Sequence, residues 1–161
     1  MKASLNRRCF YYVQKGGGMK AKEFFRQVRA EQKEQRILKE TISMRHMQLL
    51  PQAIRYDKDH VQVSPTDTIS ESMAWIADQM VKLERLSDRL EARKAQAYEV
   101  VSALDRSEER QVMILYYLEI TPEGGLRTWD DVANRMGYSV QHVHRIHGEA
   151  LRNINQIRRE F

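Results

Sequence analysis

The fold of this chain is decided by one stretch near its C-terminus, Thr128-Trp129-Asp130-Asp131-Val132-Ala133-Asn134-Arg135-Met136-Gly137-Tyr138-Ser139-Val140-Gln141-His142-Val143. Thr128 is a typical N-cap residue, because its hydroxyl can accept a hydrogen bond from a free N–H of the first helical turn. Gly137 suits the left-handed position that ends a helix, and Ser139 can cap the helix that follows. The stretch therefore predicts two helices joined by a three-residue turn. The inner face of the first helix is predicted to consist of Trp129, Val132, Ala133 and Met136.

The second of these helices has two different faces. Gln141 and Arg145 are four residues apart, close to the start of the helix. A tight turn before a helix lets its first residues enter the major groove of DNA, where glutamine can pair with adenine and arginine with guanine. We therefore expect these two residues to contact base edges. Phosphate contacts are expected from Arg127, Thr128, Ser139, His142, His144 and Arg152. The opposite, apolar face is predicted to be buried: Val143, Ile146, Ala150, Ile154 and Ile157.

The segment before this motif predicts a further short helix. Asp105-Arg106-Ser107-Glu108 is typical of a helix start, and Val112, Leu115 and Leu118 then follow on one face. The run Thr121-Pro122-Glu123-Gly124-Gly125 breaks the chain before the next helix. These helices together predict a helix-turn-helix DNA-binding domain over residues 105–161.

Residues 110–118, 128–139 and 143–151 together resemble region 4 of bacterial sigma factors. They are even more similar to a family of small phage and mobile-element proteins described as late transcription regulators, and this likeness covers most of the chain from Met19. The resemblance implies a regulator that binds promoter DNA with the helix after Ser139 and also contacts RNA polymerase. The base-contacting positions that it implies are Val140, Gln141 and Arg145.

Three features depart from the sigma factor pattern. The linker at residues 121–127 is several residues longer, and Val140 and Gln141 stand where sigma factors carry charged residues. The DNA sequence that sigma factors recognise therefore does not transfer to this chain. No segment resembles the elements with which sigma factors melt promoter DNA, which favours a regulator over a complete initiation factor.

The N-terminal part of the chain predicts two long helices over residues 19–104, so the fold class is all-α. The first runs from Lys20 to about Leu50 without Pro or Gly, Pro51 ends it, and residues 51–67 form a loop. Thr68-Ile69-Ser70-Glu71 has the spacing of a capping box and starts the second helix. Two apolar rows mark its predicted coiled-coil seam: Ile69, Ile76, Leu83, Leu90, Ala97 and Leu104, with Met73, Met80 and Val101 four residues after members of the first row. The helices form an antiparallel hairpin or pair with a second copy in a homodimer, and the sequence leaves both open.

Composition limits the setting in which the protein works. The 161 residues carry a net charge of +5, with basic residues concentrated towards both ends and acidic residues in the middle. A single cysteine, Cys9, and the absence of a long apolar run predict a cytoplasmic protein without a membrane span, and the resemblance implies a bacterial host cell. Residues 1–18 lack the helical pattern of the rest of the chain, and the run Lys15-Gly16-Gly17-Gly18 stands directly before Met19. We therefore expect translation to start at Met19 instead of Met1. The alternative is a flexible basic arm.

Enzymatic function is not expected, because the sequence contains no phosphate-binding loop, nucleophile motif or metal-ligand spacing. Asp130-Asp131 and Glu108-Glu109 fall in first helical turns, where carboxylates complement the helix dipole. His142 and His144 are two residues apart and point to nearly opposite sides of a helix, so they do not share a metal. No cofactor is predicted. Two other functions stay open: a phage DNA-packaging protein like a small terminase subunit, and a helical adaptor that binds protein only.

Overall fold

The structure, a computed structural model, describes residues 20–54 and 65–157 of the chain. These residues form five α-helices: α1 Ala21–Ile54, α2 Pro65–Ser102, α3 Ser107–Met113, α4 Trp129–Met136 and α5 Val140–Ile157. A π-helical segment, Ile114–Leu118, continues α3. The described residues contain no strand, only an isolated bridge between Ile120 and Leu126. The prediction of an all-α fold is confirmed, whereas the interpretation of residues 1–18 falls outside the described residues.

The chain divides into two compact units, and α1 and α2 each contribute to both. The helix-turn-helix unit comprises residues 20–32 and 90–157, and the hairpin unit comprises residues 33–54 and 65–89, as far as the structure describes them. The units do not divide the chain at residue 104, where the sequence suggested a boundary. That residues 105–161 form a domain by themselves stays a prediction.

In the hairpin unit, α1 and α2 run antiparallel. The Gln35 amide donates to the Ser87 hydroxyl at 2.8 Å, and the Arg45 guanidinium donates to the Ser72 hydroxyl at 3.3 Å. Arg45 also lies over the ring of Trp75, 5.6 Å from its centroid. Residues later in α1 therefore meet residues earlier in α2, which is the arrangement of a hairpin within one chain.

The ends of the two long helices differ from the sequence prediction. The helix α1 passes Pro51 and ends at Ile54, and α2 begins at Pro65 rather than at the expected capping box of residues 68–71. The predicted loop at residues 51–67 is thus too long at both ends. Pro65 occupies the start of a helix, where its missing N–H costs little, and Pro51 removes only one N–H from the last turn of α1.

The predicted seam along α2 is half correct. Its first row is covered, with Ile76, Leu90, Ala97 and Leu104 all buried. Its second row is wrong in the hairpin unit, because Met73 and Met80 are 50% and 58% exposed. The buried second row lies three residues after the first, at Ser72, Leu86 and Val100. Positions three and four residues along a helix lie on opposite sides of the first row, and α1 packs on the three-residue side.

The core of the helix-turn-helix unit combines both ends of the chain. One cluster joins residues of α1 and α2 to the C-terminal helices, and a second cluster lies between α3, α4 and α5. The first contains Ala21, Phe24, Phe25, Val28, Leu90, Ala97, Val100, Val101, Leu104, Met113, Tyr117, Leu118, Ala150 and Ile154. The second contains Val112, Leu115, Val132, Ala133, Val143 and Ile146. The predicted inner faces of α4 and α5 therefore pack in these clusters, except for Ile157, which is only half-buried.

The start and the end of α3 were not predicted correctly. Its N-cap residue is Arg106 rather than Asp105, and no side chain caps it. At the other end the helix widens, since the Glu119 N–H donates to the carbonyl of Ile114, five residues back, at 2.9 Å. This π-helical turn is followed by a tight loop in which the N–H of Thr121 donates to the Gly125 carbonyl at 2.8 Å.

Two polar side chains are buried together inside the first cluster. The Tyr117 hydroxyl lies 3.0 Å from Nε2 of His147. Burial raises the pKa of Tyr117 to about 12. Burial, and then the positive charges of His144 and Lys22, lower the pKa of His147 to about 4. Both groups are therefore neutral at physiological pH, and they satisfy each other's hydrogen-bonding capacity.

The N-terminal helix should stabilise the helix-turn-helix unit. Phe25 is fully buried and its ring lies 5.3 Å from that of Tyr117, so Phe25→Ala is expected to lower the free energy of unfolding by about 3 to 5 kcal/mol. In a Trp75→Phe background, Trp129 is the remaining tryptophan and its fluorescence reports this unit during denaturant unfolding. The control Ile37→Ala, at a residue of α1 that is 47% exposed, should cost under about 1 kcal/mol. Equal losses in the two variants would contradict the packing described.

Acid should destabilise the protein through His147. Because folding lowers the pKa of His147, the unfolded chain binds the proton more readily, and the stability that neutral His147 contributes is complete above about pH 6.5. It is lost as the pH falls towards 4, by up to about 3 kcal/mol. The variant His147→Gln cannot titrate, so its unfolding free energy should fall less than that of the wild type between pH 7 and pH 4. Parallel pH curves would show that His147 is not the group responsible.

Candidate nucleic-acid interface

The first helix of the motif, α4, begins with a complete capping box. The Asp131 N–H donates to the Thr128 hydroxyl at 3.2 Å, and the Thr128 N–H donates to the Asp131 carboxylate at 2.7 Å. The Thr128 N–H, and then the Thr128 hydroxyl, which donates to the same carboxylate at 2.8 Å, hold the pKa of Asp131 below its usual value. The capping role predicted for Thr128 is confirmed, and its hydroxyl is engaged by Asp131.

The turn between α4 and α5 has the geometry that the sequence predicted. Gly137 ends α4 with a φ of 69°, in the left-handed region that glycine enters without strain. The Tyr138 N–H donates back to the Ala133 carbonyl at 3.0 Å. Ser139 then caps α5, since its hydroxyl accepts a hydrogen bond from the His142 N–H at 3.3 Å. Both ends of the turn are thus fixed by hydrogen bonds.

One side of α5 is open to solvent along most of its length. Gln141, Arg145 and Arg152 are exposed on this side. Gly148 lies between the arginines, and a Cβ added there would meet no atom within 4 Å. We call these four residues the α5 stripe. The α5 stripe presents the Gln141 amide and the guanidinium groups of Arg145 and Arg152. At Gly148, between the two arginines, the backbone of a ligand can approach the helix closely.

The other predicted base-contacting residue, Val140, is placed differently. It is half-buried and packs against the second hydrophobic cluster. The structure therefore brings Gln141 and Arg145 to one surface and gives Val140 a packing contact.

Two histidines flank the α5 stripe. The Nδ1 of His142 lies 3.2 Å from the Arg145 guanidinium, and its ring lies 4.7 Å from that of Tyr138. His144 is exposed, with its ring 4.5 Å from that of Trp129. Neither histidine is buried, so both are accessible to a ligand that approaches α5.

Arg127 differs from the other predicted phosphate contacts. Its side chain is only 12% exposed and lies 3.4 Å from the Glu119 carboxylate. Its carbonyl accepts a hydrogen bond from the Arg29 guanidinium at 2.7 Å. Arg127 is therefore largely occupied by contacts within the protein.

Sequence analysis missed the contribution of Arg29 in α1. Its guanidinium donates to the carbonyls of Tyr116 and Arg127 and lies 3.9 Å from the centroid of the Tyr116 ring. That ring stacks on Trp129 at 3.6 Å. One side chain of α1 thus holds the loop that leads into α4. Because it acts across 87 and 98 residues of sequence, no local pattern could have indicated it.

A buried carboxylate joins α3 to α5. Glu109 is 1% exposed, and the Asn153 amide donates to its two oxygens at 3.0 and 2.9 Å. Arg106 lies 3.7 Å from the same carboxylate and donates to Glu149 at 3.0 Å. Glu109 was interpreted from the sequence as a helix-dipole residue, and the structure adds this tertiary contact.

Other kinds of site are not formed by residues 20–54 and 65–157. Among them, no group of three or more His, Cys, Asp or Glu side chains is arranged to hold a metal ion. None of the helices in these ranges has the length and apolar character that a bilayer span requires.

Comparison with known proteins assigns the C-terminal helices. The chain has no match among the curated proteins, and none among the solved structures. The family described as Sigma-70, region 4, matches residues 106–156, which include α3, the π-helical segment, α4 and almost all of α5. The C-terminal part of the chain therefore carries a helix-turn-helix domain of the Sigma-70, region 4, kind, and domains of this kind bind DNA.

Proposed function

We propose that this protein is a sequence-specific transcriptional regulator that binds promoter DNA with α5. The observation that carries the proposal is the exposed pair Gln141 and Arg145 near the start of a helix fixed by the Ser139 cap, within a region that matches Sigma-70, region 4. Side chains at this end of a recognition helix reach base edges in the major groove. Gln141 pairs with adenine and Arg145 with guanine, and the match gives no catalytic role.

Phosphate contacts in this proposal come from residues around the base-contacting pair. His142, His144 and Arg152 supply side chains from α5, and Ser139 and Thr128 lie at helix starts, where N–H groups face an approaching anion. Arg127 contributes less, because its guanidinium is largely covered and lies near Glu119. The resulting surface combines base recognition with contacts that fix the register on the duplex.

A protein partner is the second part of the proposal. The hairpin unit exposes several large apolar side chains: Ile37, Met44, Met47, Met73, Met80 and Val81. Exposed apolar surface that includes several methionines is typical of protein-binding sites. RNA polymerase is the partner proposed for a promoter-binding regulator, and a second copy of the chain is the alternative. We propose that the protein acts in the cytoplasm of a bacterial cell and is encoded by a phage or mobile element.

The DNA-binding proposal can be tested on genomic fragments. The purified chain is mixed with fragmented DNA of its source, the retained fragments are sequenced, and the experiment is repeated with Arg145→Ala, Gln141→Ala and the control Arg85→Ala. We expect one promoter-proximal sequence to be enriched. Each α5 variant should lose about 1 to 3 kcal/mol of discrimination, or roughly five- to 150-fold, because one bidentate base contact is removed. Arg85 is exposed in the hairpin unit, and its variant should behave like the wild type.

The possible outcomes separate the functions. Enrichment that does not depend on Arg145 or Gln141 would remove α5 from the role of recognition helix. Absence of enrichment would favour an adaptor that binds protein through the hairpin unit. Enrichment of a single packaging site instead of promoters, with a large ring-shaped oligomer in solution, would identify a packaging protein.

A further inference from the structure

The first turns of α1 lie along α5 in the opposite direction. At one end, the Ala21 N–H donates to the Asn155 side chain at 3.2 Å. At the other, Arg29 lies over Tyr116, whose ring stacks on Trp129, which in turn contacts His144. The segment of α1 from residue 21 to residue 29 is therefore antiparallel to α5, and it leads from the last turns of α5 towards the α5 stripe.

The flank of α1 on this side carries only basic residues. Lys22, Arg26 and Arg29 are four and three residues apart, so they share one face of the helix. Arg29 is engaged by the loop before α4, whereas Lys22 and Arg26 are exposed. Lys22 and Arg26 are therefore two solvent-exposed cations on a helix that packs beside α5.

The pKa shifts of two buried groups agree with this placement of the cations. Burial is the main cause of the lowered pKa of His147, and the charges of His144 and Lys22 lower it further. Burial is also the main cause of the raised pKa of Tyr117, and the charge of Arg26 opposes it. The charges of Lys22 and Arg26 therefore act on buried side chains of the helix-turn-helix unit, although both cations are themselves exposed.

The carboxylates closest in sequence to Lys22 and Arg26, and the one on α5, make contacts with other groups. Glu23 accepts a hydrogen bond from the Lys20 N–H at 3.0 Å, and Glu31 lies 3.0 Å from Arg93. On α5 the single carboxylate among the described residues, Glu149, pairs with Arg106. Within the described residues, no carboxylate is paired with Lys22 or Arg26. Apart from the Glu23 carboxylate, the surface between α1 and the α5 stripe is consequently basic.

We propose that Lys22 and Arg26 form a second DNA-binding surface, which binds backbone phosphates beside the bases contacted by α5. This inference rests on the proposed function, and it extends the DNA contact beyond residues 106–156, the region that matches Sigma-70, region 4. Long cationic side chains on a fixed helix can neutralise phosphates without distinguishing bases. The position of this basic flank on a helix that packs beside α5, the proposed recognition helix, favours DNA over an acidic protein as the occupant.

The test is the salt dependence of DNA binding by the full chain. Affinity is measured between about 50 and 200 mM salt on the enriched duplex and on a scrambled duplex of equal length. The double variant Lys22→Ala/Arg26→Ala is compared with Lys39→Ala/Lys82→Ala, which removes the same charge from exposed residues of the hairpin unit. The exchange Lys22→Arg/Arg26→Lys keeps both charges.

The proposal predicts a specific pattern. The double alanine variant should reduce the magnitude of the slope of log K against log salt by about 1.8, because each phosphate contact contributes about 0.9. It should weaken binding to both duplexes by the same factor and so preserve discrimination. The hairpin control and the charge-preserving exchange should leave the slope unchanged.

Other results would overturn the proposal. Equal slopes in the double alanine variant and the wild type, or an equal drop in the hairpin control, would show that Lys22 and Arg26 make no local phosphate contact. Unchanged DNA affinity with weaker binding to RNA polymerase would assign the surface to a protein. Loss of discrimination in Arg145→Ala, with no effect of the double variant, would retain the proposed function and remove this surface alone. A wild-type chain that does not bind DNA would overturn both.

Discussion

The burial of Tyr117 is the interaction on which the rest of the helix-turn-helix unit depends. Its ring packs against Phe25 of α1, its carbonyl accepts a hydrogen bond from Gln32 at 2.7 Å, and its hydroxyl meets His147 of α5. One residue thereby joins the N-terminal helix to the helix proposed to bind DNA. A large aromatic ring with a polar end requires both apolar neighbours and a hydrogen-bond partner, and here they come from opposite ends of the chain.

Local patterns in the sequence predicted most of the motif itself. The caps at Thr128 and Ser139, the left-handed Gly137 and the exposed Gln141 and Arg145 were all identified correctly, because each depends on a few consecutive residues. Capping and helical spacing are short-range properties, so they can be inferred without knowledge of the tertiary structure. The assignment of DNA contacts to particular residues stays a prediction.

Features that depend on distant contacts were not predictable in this way. The choice between Met73 and Ser72 as the buried row of α2 is made by the side on which α1 packs, and either row fits the sequence pattern. Arg29 contacts the loop before α4 through carbonyl groups, which have no sequence signature. The π-helical turn at Ile114–Leu118 likewise shows no break in the apolar pattern. In the first two cases the deciding partner is remote in sequence.

The core of the helix-turn-helix unit combines α1 with the C-terminal helices, so its parts are synthesised at different times on the ribosome. Phe24, Phe25 and Val28 are translated long before their partners Ala150 and Ile154 in the same cluster. Loop closure over this separation makes long-range contacts slow to form. Until those partners emerge, the nascent chain carries an unpaired apolar face on α1, and the surface proposed to bind DNA has not yet formed. A truncated translation product would lack it entirely.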